Sequence, residues 1–143
     1  MNANLAGLPP QDRRWRFHGA VKGLSRDTVR RLACADPARQ CTWLATTADA
    51  AAVVAEVTWA LDQTGRAAET ALVVMPRWRR QGVALHLLQW MARRCRHRGL
   101  DTLYGHVMEG NQPMAALLER LGPAVARRHA GAGVLRVEWR VPA

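Results

Sequence analysis

The sequence is poor in cysteine, with three in 143 residues. An odd number without paired spacing argues against a disulfide scaffold and fits a reducing compartment, so a cytoplasmic location is expected. No apolar run approaches the roughly 20 residues that cross a bilayer. The N-terminal stretch lacks a basic segment followed by an apolar one, so neither a membrane span nor a secretory signal is expected. The histidines, His18, His86, His97, His106 and His129, are scattered without ligand spacing beside a third donor, and no metal is expected. A Walker-type phosphate loop is missing, and so is the dinucleotide fingerprint. There is no internal repeat, low-complexity tract or Lys/Arg run longer than a pair.

What is present is globular in composition, 49% hydrophobic and 22% charged, on a length that suits one core. Residues 1–14 hold two prolines and no periodicity and read as a flexible lead-in, leaving 15–143 as a single domain. Lys and Arg total 21 against 11 for Asp and Glu, a net charge of +10, which draws the chain towards polyanions, anionic cofactors or acidic partner surfaces.

The stretch Glu69 to Ala84 organises the rest. Ala71 to Val74 is short and apolar and suits a buried strand, and Pro76 forbids further ladder pairing. From Val83, the positions Ala84, Leu87, Leu88, Met91 and Cys95 fall at helical spacing, so Arg77 to Gln81 sits at a helix start. Arg79 and Arg80 beside the positive end of a helix are unfavourable by roughly 0.3–1 kcal/mol each when exposed, unless an anion lies between. Free backbone N–H groups, with Gly82 letting a ligand approach the main chain, suit such a turn to a pyrophosphate.

Around it the elements follow in order. Ser25 caps an expected helix through Val29, Leu32 and Ala33 that ends before Asp36-Pro37. Cys41 to Thr47, Ala52 to Leu61 and Arg66 to Val74 read as antiparallel strands, the last two joined by a turn at Asp62 to Gly65. A helix from Val83 to about Arg98 stops at Gly99, and Leu103 to Met108 is the next strand. Asn111 caps a further helix with Pro113 in its first turn, ended by Gly122-Pro123. Val125 to His129 and Val134 to Val141 close as a hairpin. The pattern is α/β (α+β by another convention): a mixed, mostly antiparallel sheet flanked by helices, with one parallel crossover. Trp43, Trp59, Trp139 and Cys95 are read as packing residues. Trp78, in the loop, either packs on an adenine or covers the turn.

Arg79-x-x-Gly82-x-Ala84 after a strand and opening a helix, together with Asn111-x-x-Met114-x-x-Leu117 through Gly122, resembles the GNAT family of N-acetyltransferases. That resemblance implies an acetyl-CoA co-substrate and an amine acceptor, either a small molecule or a protein lysine. It implies that Val73 and Val74 pair with the pantetheine arm, that Arg79, Arg80, Gln81, Gly82, Val83 and Ala84 hold the diphosphate, and that Asn111 lies near the thiol end. A closer resemblance is to the acetyltransferase domain of bacterial protein lysine acetyltransferases that act on acyl-CoA synthetases. It is carried by Arg16-Phe17, the spacing through Leu24, Leu32 and Asp36, the Ala68-Glu69-Thr70-Ala71 strand, and Asn111-Gln112-Pro113-Met114 before Arg120-Leu121-Gly122. By that match Glu69 is the general base.

Chemistry asks independently for a carboxylate, because a lysine ammonium with a pKa of roughly 10.4 cannot attack a thioester until it loses a proton. Glu56 and Glu109 stand in reserve, and the alternative role for Glu69 is a surface pair with Arg66 or Arg77. A backbone N–H around Val74 is the expected oxyanion donor. The chain departs from the family pattern at Leu118, where many members have a tyrosine that protonates the leaving thiolate, at Pro123 and at Arg80. It begins where the family's first strand is expected to have passed, so that strand is expected to be lacking or replaced by the lead-in. Two other classes stay open: a CoA-binding regulatory module without turnover, and a basic nucleic-acid-binding domain, the less favoured. Oligomeric state is not legible, a homodimer being compatible with the sequence.

Overall fold

The computed structural model describes residues 8–17, 36–122 and 124–141. The helix expected from Ser25 to Ala33, Cys34, His18 and Pro123 lie outside them. Helix α1, Pro10–Phe17, leads to strands β1, Gln40–Thr46, β2, Val53–Leu61, and β3, Ala67–Val74. A 3-10 turn at Pro76–Trp78 connects β3 to helix α2, Val83–His97. Strand β4, Thr102–Met108, helix α3, Gln112–Leu121, and the hairpin β5, Ala126–Gly131, with β6, Val134–Arg140, follow. One expectation is corrected at once. The lead-in was drawn to Arg14, yet Pro10 to Arg14 open α1, and Leu8 just before it is buried against Val73 and Met75.

The strands form one six-stranded sheet in the order β1-β2-β3-β4-β6-β5, antiparallel except where β3 meets β4. Among the described residues nothing pairs with the outer edge of β1, where the strand expected to be lacking would stand. Side chains alternate across a strand, so each strand divides its residues between two faces. One face carries Val57, Trp59, Ala68 and Leu103, which pack with Met91, Ala92 and Cys95 of α2 and with Leu100. Further along that face, Val137 and Trp139 pack with Leu118 of α3. Burial pushes the Cys95 thiol up to about 11, as befits a packing residue.

The helix ends are set by local chemistry. Gly99, at φ 76°, follows α2 in the left-handed region. Its N–H donates to Arg96 O, while Leu100 N–H reaches back to Cys95 O, the paired reverse bonds of a Schellman end. Arg94, Arg96 and His97 in the last turn complement the helix dipole. Arg94 also lies over the rings of both Trp43 and Trp90, 5.6 and 5.2 Å from their centroids, tying α2 to the edge strand β1. No helix among the described residues is long and apolar enough to cross a membrane.

Candidate functional site

The parallel pairing of β3 with β4 is brief. It runs from Ala67 opposite Thr102 to Glu69 opposite Tyr104 and then ends, so the two strands part beyond Glu69. Which backbone groups face the resulting opening follows from the phase of the neighbouring ladder. Met75 N–H donates to Val54 O, so residues 75 and 73 turn their polar groups to β2, and the alternate residues Leu72 and Val74 turn theirs away from it. The Val74 backbone therefore faces the opening. Val73 does not: its backbone is taken up by β2 and its side chain packs on Leu8. Leu72, which sequence reasoning did not single out, faces the opening instead.

At the carboxyl end of β3 the chain turns through Pro76–Trp78, takes left-handed conformations at Arg80, φ 59°, and Gly82, φ 82°, and enters α2. The first backbone bond of that helix is His86 N–H to Gly82 O, and no side chain caps it. Among the described residues the run of backbone N–H groups from Arg80 to Leu85 is therefore left without protein acceptors. A Cβ at Gly82 would meet no atom within 4 Å, so the space in front of the turn is open. These donors and the helix dipole together suit a diphosphate.

Arg79 makes two bonds within the protein. Its Nε donates to Val74 O at 3.0 Å and its Nη2 to Asp12 Oδ2 at 2.8 Å, so it fastens the turn to the end of β3 and to α1. Arg80, beside it in the loop, is exposed. Trp78 is half-buried with Arg77 over its ring, 5.8 Å away, so it covers the turn. Gln81 donates its side-chain amide to Arg77 O. Asn111 is buried and its Oδ1 accepts from Met114 N–H at 3.1 Å, which makes it the cap of α3.

Glu69 lies where β3 and β4 part, on the face opposite α2 and α3. Its Oε1 is 2.8 Å from Nδ1 of His106, and the carboxylate remains 44% exposed, open to an incoming group. It pairs with neither Arg66 nor Arg77. His106 was passed over in the sequence as one of several scattered histidines. The signal that would have found it is nonlocal: Tyr104 lies opposite Glu69, and His106, two residues on, shares that face.

The same face carries more charge. Arg16 approaches Glu56 at 3.7 Å, and Glu56 is only 4% exposed. Burial lowers the pKa of the Arg16 guanidinium, while the Glu56 and Glu69 carboxylates push it back up. Arg136 bonds Glu138 at 2.8 Å and lies over the Tyr104 ring, 3.5 Å from its centroid. Tyr104 is raised above the ordinary phenol range, chiefly by desolvation and next by Glu69, with Arg136 opposing. Of the reserve carboxylates, Glu56 is sealed against Arg16, and Glu109 pairs with His129 at 3.0 Å on the surface. Leu118 is buried against Val137 and Trp139, on the opposite face from Tyr104. Among the described residues no cluster of His, Cys, Asp and Glu could hold a metal ion.

The comparisons with known proteins agree on the architecture. A model of the acetyltransferase (GNAT) family matches residues 11–122. The GNAT domain of PAT from S. lividans superposes with a TM-score of 0.83 at 22% identity, covering 96% of this chain and 81% of that one. Spermidine N-acetyltransferase from Vibrio cholerae, in complex with CoA and spermine, gives 0.74 at 17% identity, covering 96% and 87%. The cAMP-binding acyltransferase from Mycobacterium smegmatis gives 0.66 at 22% identity, covering 93% of this chain and 40% of that one. No curated protein matches the sequence.

Proposed function

Since the chain belongs to the acetyltransferase (GNAT) family, we propose that it is an acetyl-CoA-dependent N-acetyltransferase acting by direct transfer to an amine, with Glu69 as general base. The observation that carries this is the layout of β3: its first half bears an accessible carboxylate where β3 and β4 part, and its end leads into an uncapped helix start. The amides from Arg80 to Leu85 would hold the diphosphate, and the polar groups of Leu72 and the N–H of Val74 would line the pantetheine arm. Asn111 acts from behind, by setting the start of α3.

Acetyl-CoA supplies an activated acetyl group as a thioester. The chain's residues must then deprotonate the amine, orient it and stabilise developing charge. The Glu69 carboxylate receives the ammonium proton, which frees the nitrogen lone pair for the acetyl carbon; the C–N bond forms as the C–S bond breaks, the thiolate departs, and the second proton on nitrogen passes to solvent to leave the neutral amide. His106, with its Nδ1–H directed at Oε1, fixes the carboxylate and leaves Oε2 for the amine. The Val74 N–H, turned into the opening, is placed to meet the carbonyl oxygen as it gains charge. Leu118 offers no proton to the thiolate. A thiol is a good enough leaving group to depart to solvent.

Isothermal titration with acetyl-CoA tests the cofactor half. One site per chain is expected, and Gly82→Asp should weaken it at least a hundredfold, because a side chain at φ 82° is strained and a carboxylate at a helix start repels the diphosphate. Absence of binding to the wild-type chain would sink the reading. One observation favours a second reading. The buried Leu118, in place of a phenol, fits a module that binds CoA without turnover, and such a module would bind acetyl-CoA yet cleave no thioester for any amine offered.

A further inference from the structure

The face that carries Glu69 holds a row of basic side chains running to the sheet edge. In register, His106 lies opposite Arg136 on β6, and Arg136 lies opposite Arg128 on β5. Two of the arginines on this face have carboxylate partners, Arg16 in Glu56 and Arg136 in Glu138. Arg128 has none among the described residues and is exposed. Glu138 offsets the charge of Arg136, so of the two opposed arginines Arg128 is the one whose charge is left for an outside anion to offset. Protection of an edge strand against pairing does not explain it. Arg127, on the other face of β5 and also exposed, supplies an edge charge without facing Arg136.

Distance then says what kind of anion. Arg128 stands three strands from Glu69 and about one side-chain repeat along, roughly 15 Å at strand spacings near 4.8 Å, which is four or five residues of extended chain. A free amino acid whose amine sits at Glu69 does not reach that far. A polyamine reaches it with the wrong charge. We therefore infer that the acceptor is a lysine within a polypeptide that carries Asp or Glu a few residues away, and that the acidic side chain docks on Arg128 at the β5 edge. The inference rests on the acetyltransferase reading for the position of the lysine, while the docking surface itself is open to direct binding.

The test uses the whole chain saturated with CoA and two fluorescent peptides of equal length, each with one central lysine. One peptide carries glutamates four and five residues from the lysine, the other glutamines. Anisotropy should show the acidic peptide bound at least tenfold tighter at low salt, with the difference shrinking as salt rises. Arg128→Glu should abolish the preference, and Arg128→Gln should reduce it. Equal binding of the two peptides, or a preference untouched in both variants, overturns the proposal. With acetyl-CoA in place of CoA, acidic peptide that is bound preferentially but never acetylated leaves the surface standing and removes the enzyme reading. Spermidine acetylated in preference to the acidic peptide overturns the surface and leaves the enzyme reading intact.

Discussion

The two faces of the sheet are made from alternate residues of the same strands, yet they have almost nothing in common. Under α2 and α3 lie Val57, Trp59, Ala68, Leu103, Val137 and Trp139, all nearly sealed from water. One residue away along the same strands lie Glu56, Glu69, Tyr104, His106, Arg136 and Glu138, joined by ion pairs and ring contacts. A slip of one residue in any strand would exchange the two sets. The apolar face therefore fixes the register, and the register is what brings the Glu69 carboxylate to His106. Stability and chemistry are separated by the pleat of the sheet, which means each can be altered with little effect on the other.

Glu69→Gln should break the chemical face alone and have the largest effect. General-base assistance contributes roughly a hundredfold to ten-thousandfold, so turnover near neutral pH should fall by about that factor. Acetyl-CoA affinity and the thermal midpoint should stay close to wild type, because the side chain is half exposed and away from the loop. Undiminished turnover would move the base elsewhere, and a collapse of stability would show that the faces are not separable.

The converse variant is Met91→Ala. Met91 is fully buried in the packing between α2 and the sheet. Its truncation should cost about 2–5 kcal/mol of unfolding free energy, read from urea denaturation. Turnover per folded molecule at low temperature should change by less than about threefold, more than three orders of magnitude less than for Glu69→Gln at its strongest. If turnover drops with stability in proportion, the core and the site are coupled through the position of α2.

Much of this was legible because it depends on local chemistry. Pro76, Gly82, Gly99 and Asn111 mark element ends through backbone conformation and capping, and the strands and helices begin within a few residues of those marks. The loop stood out for the same reason, whereas Glu69 stood out through the family resemblance alone. What escaped depends on pairing across the fold. Whether Leu72 or Val73 faces the opening is set by the hydrogen-bond phase between β2 and β3, which no stretch of sequence contains. His106 meets Glu69 only because two strands distant in sequence run parallel for a short length. Helix α1 has no apolar stripe to announce it, and it is held by Asp12 on Arg79 and by Arg16 near Glu56.

The smallest expected effect sharpens the comparison within the charged face itself, by asking whether His106 orients Glu69 or only fills space beside Tyr104. The rings of Tyr104 and His106 meet edge to face at 5.8 Å, so a packing role is a real alternative. His106→Leu keeps an apolar body and removes the donor. His106→Asn loses much of the ring but sets an amide N–H near the place of Nδ1. A hydrogen bond to a charged group contributes about 1.5–3 kcal/mol, so if it orients the base the leucine variant should lose roughly tenfold to a hundredfold in kcat. The asparagine variant should recover most of that loss, and KM for acetyl-CoA should hold in both. Packing predicts the reverse order, with leucine the milder change and asparagine the more damaging one. Thermal melts of the two variants, run beside the kinetics, separate the cases, because a carboxylate left without its donor changes the rate while leaving the fold of the helix-covered face as it was.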